Sequence, residues 1–136
     1  MRRALLLLVL AGCPSNNDGF GSSCEADRDC SGGDVCARNG ECDPTSALRG
    51  VRATWTIGGQ QATVTTCTPF PDFELDYYAD AYGQDVFGYA PVPCKQGSFF
   101  IDKLPTRYTT VAIGSNSFSQ AAAIDADGTV AFDLQP

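Results

Sequence analysis

The sequence predicts an all-β protein: a small disulfide-rich N-terminal module followed by an antiparallel β-sandwich of seven or eight strands. Three observations carry this. From about residue 48 onward, apolar and polar residues alternate in short runs broken by Gly, Pro, Asn and Asp, the period of half-buried strands. No stretch shows the 3.6-residue periodicity of an amphipathic helix of useful length. Seven cysteines in 136 residues, four of them evenly spaced, indicate a cross-linked chain in an oxidising compartment.

Taken in order, Met1-Arg2-Arg3, the apolar run Ala4 to Leu10 and the small pair Ala11-Gly12 form the n-region, h-region and cleavage site of a secretory signal spanning residues 1–12. The apolar run is far shorter than the roughly 20 residues of a membrane-spanning helix. Leu10-Ala11-Gly12-Cys13 resembles the lipobox of bacterial lipoproteins. That resemblance implies a diacylglycerol on Cys13 and cleavage before it, so that Cys13 becomes the lipidated first residue. Buried acyl chains contribute about 0.8 kcal/mol per CH₂, so two or three of them hold the chain to a membrane outside the cytoplasm. Pro14-Ser15 follows instead of an inner-membrane retention Asp, which points to the outer membrane. The alternative is an ordinary secretory peptide with a Cys near its end. Residues 13–23 then comprise the lipidated Cys and a flexible, polar, glycine-bearing tether.

Residues 24–43 carry Cys24, Cys30, Cys36 and Cys42 with five residues in every gap and almost nothing apolar to bury, so bridges must hold this module. Structural zinc sites usually bring cysteines in C-x₂₋₄-C pairs, which these gaps are not. Four cysteines allow three pairings, and spacing does not choose among them. The acidic start, the central Gly32-Gly33 and the Asn39-Gly40 turn resemble the small knotted repeats, similar to half an EGF module, of secreted myxobacterial lipoproteins. By that resemblance Cys24 pairs with Cys36 and Cys30 with Cys42. The two remaining cysteines, Cys67 and Cys94, lie in strand-like sequence and are paired with each other. Asp27, Asp29, Asp34 and Glu41 lack a full calcium-ligand pattern and read as a solvated acidic loop.

The sandwich occupies residues 48–136. Val51, Ala53, Trp55 and Ile57 alternate with polar partners up to Gly58-Gly59, and Phe73, Leu75, Tyr77 and Ala79 alternate with Glu74, Asp76, Tyr78 and Asp80. Further strands are predicted at residues 62–67, 85–90, 98–102, 107–114, 118–124 and 129–134, with Asp127-Gly128 as a hairpin turn. Trp55 reads as core. The segment Ser98-Phe99-Phe100-Ile101-Asp102-Lys103-Leu104-Pro105-Thr106-Arg107-Tyr108-Thr109-Thr110-Val111 resembles the Leu-Pro-x-Gly-x-Tyr segment of transthyretin-like and carboxypeptidase-regulatory-like sandwiches. Here the glycine is missing and the turn is one residue shorter. The resemblance implies that Tyr108 begins a strand, and that the domain belongs among accessory, adhesive and scaffolding modules.

The chain has no histidine, which removes Ser-His-Asp and Cys-His catalysis and most catalytic zinc sites. No phosphate-cradling glycine loop occurs, and neither a cofactor nor a metal is expected. Sixteen acids against nine bases leave no basic surface for nucleic acid. Paired carboxylates, the remaining enzymatic option, would suit a glycosidase, but an alternating strand and an acidic loop explain Asp72, Glu74, Asp76, Asp80 and Asp85 without a cleft. The stretch Phe70 to Tyr89 is instead the best recognition surface, with Tyr78, Tyr82, Asp76 and Asp80 as its candidate residues: Tyr gives contact area at low entropic cost and keeps a polar tip. The competing reading makes its aromatics ordinary core and edge cover. The functional expectation is a membrane-anchored, non-catalytic accessory or adhesive module meeting an envelope protein or glycan; the alternatives are a structural envelope subunit and a carboxylate-dependent glycosidase.

Overall fold

The computed structural model describes residues 23–70, 72–81, 83–115 and 118–135, so Cys13, its tether and Tyr82 lie outside the described residues. The elements in chain order are β1 (Val35–Cys36), β2 (Cys42–Asp43), β3 (Leu48–Ile57), β4 (Gln60–Gln61), β5 (Asp72–Tyr78), β6 (Val86–Pro93), β7 (Ser98–Pro105), β8 (Thr110–Ser115), β9 (Phe118–Ala123) and β10 (Thr129–Leu134). Short 3₁₀ turns at Asp27–Asp29, Thr45–Ala47 and Cys94–Gln96 are the only helical pieces among the described residues, and none is long and apolar enough to cross a membrane.

The N-terminal module is the antiparallel pair β1–β2 with two interleaved disulfides, Cys24–Cys36 and Cys30–Cys42. The remainder is a sandwich of two sheets. In one, β3 is central, flanked by β10 on one side and by β7 and the two-residue β4 on the other; the second runs β6-β5-β8-β9. Alternation decides which side chains meet between them: Val51, Ala53, Trp55 and Ile57 from β3 face Phe73, Leu75 and Tyr77 from β5 and Val111 and Ile113 from β8. Trp55 and Phe73 meet edge to face across the two sheets, centroids 5.8 Å apart. The indole N–H of Trp55 donates to the Cys94 carbonyl at 2.6 Å, and Cys94 is bonded to Cys67. With a sequence separation of 27, that bridge contributes about 3 to 4 kcal/mol in the chain-entropy model.

The structure differs from the sequence expectation in four places. Residues 62–67 are not a strand. Threonine hydroxyls there bond locally, Thr66 Oγ1 to the Gln61 carbonyl at 2.9 Å and Thr68 Oγ1 to the Thr65 carbonyl at 2.9 Å, while the Cys67 amide donates to the Thr63 carbonyl at 3.0 Å. Such bonds compete with a sheet ladder and coil the segment into turns, so β-branched content misleads. Neither Cys67 nor Cys94 therefore sits in a strand. Tyr108 does not begin a strand either: it is buried in the connection before β8. Asp127-Gly128 makes the expected hairpin turn, closed by the Gly128 amide on the Asp125 carbonyl and the Asp125 amide on the Thr129 carbonyl, both at 2.9 Å, but the strands beyond it part instead of pairing. The turn hands the chain from β9 in one sheet to β10 in the other, where β10 runs parallel to β3, so this sheet is mixed. A side chain at Gly128 would drive into the carbonyl of Gly50, and its φ of +80° favours glycine as well.

A further irregularity sets the geometry of everything after it. Lys103, at φ +49°, is the one non-glycine residue in the left-handed region among those described, and there β7 places two residues opposite Gly50 of β3. The bulge resets the alternation, so that Ile101 and Leu104, three apart, both point inward.

Among the described residues, the core also holds one unpaired polar atom. The Tyr77 hydroxyl is fully buried without a hydrogen-bond partner, and burial pushes its pKa well above the ordinary tyrosine range. An unsatisfied buried hydroxyl costs about 1 to 3 kcal/mol. Tyr77→Phe, which keeps the ring, is expected to raise unfolding free energy by about 1 to 2 kcal/mol in urea titration; an unchanged or lower midpoint would mean that the hydroxyl is satisfied in solution.

Candidate functional site

The strand pairing assembles a second surface on the side of the β6-β5-β8-β9 sheet away from the core. Register aligns Glu74 with Gly114 and Ser119, Asp76 with Ala112 and Ala121, and Tyr78 with Thr110 and Ala123. Glu74, Asp76 and Tyr78 thus form a polar line on a floor of small residues. Gly88 lies on the other side of Asp76, and a side chain there would occupy the place of the Asp76 carboxylate. The Asp76 carboxyl is raised by burial first and by the neighbouring Glu74 charge second. The Tyr78 hydroxyl, hydrogen-bonded to Asp76, is likewise raised, by burial and then by the Asp76 charge.

Where this line runs into the β5–β6 loop, the surface sinks into a shallow hollow of about 550 Å³, bordered by Tyr78, Asp80, Gly83, Thr109, Thr110 and Ala121. Asp80 shapes the loop, accepting the amides of Gln84 at 3.3 Å and Asp85 at 3.2 Å. Of the residues singled out in the sequence, Tyr78 and Asp80 therefore share one hollow, and Asp76 stands one step along the strand from it. Tyr78 is half-buried rather than freely exposed. Most of the other aromatics of this stretch are core or seam: Phe70, Phe73 and Tyr77 are buried, while Phe87 and Tyr89 close one side of the sandwich with Phe99.

The residues that sequence reasoning missed hold the module to the sandwich beside this hollow. Arg107 donates to Asp85 at 2.9 Å and to Glu41 of the module, and Tyr108 donates to the other Asp85 oxygen at 2.6 Å. Asn39 donates to Glu41 at 2.7 Å. At the bulge, the Lys103 ammonium reaches both oxygens of Asp27 at 2.7 and 2.8 Å, the Lys103 carbonyl accepts the Arg38 amide at 3.1 Å, and Arg38 donates to Asp102 at 2.6 Å. Asp27 and Glu41 are therefore ion-paired clamps, and Asp29 accepts the amides of Glu25 and Ala26. The acidic loop remains exposed at Asp27 and Asp29, but two of its acids are also paired with cations 66 and 76 residues away. One signal was available: Arg107 is the last base in the chain.

The sulfurs of Cys24, Cys30 and Cys42 lie within 4.8 Å of one another because two disulfides stack there, so each is already committed to a covalent partner. No family model, curated protein or solved structure matches this chain.

The clamp is acid-sensitive. The Tyr108 hydroxyl first, and the Arg107 guanidinium with it, hold the Asp85 carboxyl below its ordinary 3.8. Lys103 and the Cys36 amide do the same for Asp27. A carboxyl depressed on folding contributes stability above its unfolded pKa and loses it as pH falls through the folded value. The Arg38 and Asn39 amide resonances are therefore expected to hold steady at neutral pH and to shift as pH drops below 3.8. Asp85→Asn should flatten that transition; an unaltered acid titration in this variant would place the acid sensitivity elsewhere.

Proposed function

We propose that this chain is an extracytoplasmic lipoprotein, held to a membrane through Cys13, whose sandwich works by contact as an accessory or adhesive binding module of the cell envelope. The observation that carries the reading is the hollow at Tyr78: an aromatic ring, the hydroxyls of Thr109 and Thr110 and the Asp80 carboxylate around a floor of Ala and Gly. An aromatic face beside hydrogen-bonding groups suits a glycan or a polypeptide. The six cysteines paired in three disulfides fit an oxidising compartment. The lipobox-like Leu10-Ala11-Gly12-Cys13 supports the anchor, with the outer membrane as its destination. The raised Asp76 carboxyl beside Glu74 is the feature that favours a glycosidase. Both, however, project from one strand on an open face, whereas glycosidases flank the scissile bond with two carboxyls.

Two measurements test the reading. Cys13→Ala is expected to release the protein from the membrane fraction and to abolish acyl mass on the processed chain; membrane retention of this variant, with no acyl group on the wild type, would remove the anchor. Full-length protein is expected to capture an envelope glycan or protein, with about tenfold weaker capture by a Tyr78→Ala, Tyr82→Ala double variant whose circular dichroism is unchanged. Equal capture would take these tyrosines out of the site, and no capture at all would favour a purely structural subunit.

A further inference from the structure

The four outer edges of the sandwich are not alike. The free edge of β6 carries Pro91 and Pro93. That of β7 carries the Lys103 bulge and Asp102, on which Arg38 of the module docks. That of β10 carries Asp133, which accepts the Thr56 hydroxyl at 2.8 Å and the Gly59 amide at 2.7 Å. Prolines, bulges and charges are the devices by which sheet edges avoid pairing with other chains. The edge of β9, Phe118-Ser119-Gln120-Ala121-Ala122-Ala123, has none of them.

The ladder shows which groups this edge offers. The Ile124 amide donates to the Thr109 carbonyl at 2.8 Å, and antiparallel pairs alternate, so Phe118, Gln120 and Ala122 bond to β8. Ser119, Ala121 and Ala123 therefore turn their N–H and C=O groups outward, and these find no backbone partner among the described residues. Their side chains lie on the outer face, in register with Gly114, Ala112 and Thr110. The open edge and the hollow are thus contiguous, separated by nothing larger than alanine.

We propose that β9 accepts an extended basic segment of another polypeptide as an added strand, with a Lys or Arg of that segment opposite Ala121 or Ala123 laid across the alanines into the hollow at Tyr78 and Asp80. This rests on the reading of that hollow as a ligand site. Main-chain bonds to Ser119, Ala121 and Ala123 supply affinity, and the hollow supplies selectivity. Charge chooses the occupant. β5, β8 and β9 carry no Lys or Arg, while Glu74, Asp76 and Asp80 line the face and Asp125 and Asp127 follow the strand. A cation over the Tyr78 ring gains from the ring's quadrupole as well as from these acids. A second copy of this chain would bring the same surplus of acids to the seam.

The test uses the full-length chain in detergent micelles and a short peptide alternating lysine and valine. Binding is expected to slow amide exchange at Ser119, Ala121 and Ala123. Replacing lysine by glutamate in the peptide should abolish binding. N-methylation of alternate peptide amides keeps the charges but forbids strand pairing, and should weaken binding about tenfold or more. Ala121→Pro should do the same from the protein side without removing a bond to β8; the methylated peptide decides the matter if that variant fails to fold. Equal affinity for the methylated peptide, or β9 amides unprotected on binding, overturns the added strand. Protection of these amides without peptide, together with doubled protein mass, overturns it in favour of self-pairing. If Tyr78→Ala weakens binding and methylation does not, the hollow stands and the added strand falls. If methylation weakens it and Tyr78→Ala does not, the strand stands and the hollow falls.

Discussion

The left-handed bulge at Lys103 is the constraint on which the rest of the architecture depends. Left-handed backbone costs an ordinary residue about 1 to 2 kcal/mol, and here it sits in a strand that must pair with β3 on either side of it. With the bulge, Ile101 and Leu104 both enter the core, and Pro105 leads into a turn whose Thr106 amide returns to the Ala47 carbonyl at 2.8 Å. That turn presents Arg107 and Tyr108 to the module and to the β5–β6 loop. The cost of the conformation is offset at the same residue, whose carbonyl takes the Arg38 amide and whose ammonium takes Asp27. A straight β7 would send Leu104 to solvent and leave the module without its seat.

The acidity of the chain has two structural meanings. Asp27, Glu41, Asp85 and Asp102 meet Lys103, Arg107 and Arg38 and join the module to the sandwich. These cations come from β7, the turn after it and the module, so the opposite end of the outer face receives none. Glu74 and Asp76 consequently stand side by side on β5 with their nearest rows filled by Gly and Ala, and the field there is negative.

Strands whose inward and outward positions differ in polarity were legible in the sequence: the alternation through Val51 to Ile57 and Phe73 to Tyr77 reappears as burial, residue by residue. The Thr-rich stretch was not, because hydroxyl-to-backbone bonds within a few residues are invisible to a period-two pattern. Nor was the route after β9, since an Asp-Gly turn has the same local chemistry whether its strands pair or part, and only the close approach to Gly50 distinguishes them. The clamp was illegible for a different reason. Each of its ion pairs joins residues far apart in the chain, and charge alone does not say which base will reach which acid.

The candidate site inherits its position from that same clamp. Asp85 closes the β5–β6 loop through its backbone, accepting the Ala79 amide at 3.1 Å, and grips Arg107 and Tyr108 through its side chain. Arg107 in turn grips Glu41, and Glu41 pairs with Ser23, where the described chain begins. The hollow, the module and the entry of the chain therefore occupy one end of the sandwich and are joined by a continuous path of backbone hydrogen bonds and ion pairs. The loop that borders the hollow thus ends on a residue that the module also holds. Under the proposed function, binding at Tyr78 and docking of the module share Asp85, and any free energy difference that one event makes at this carboxylate is felt by the other.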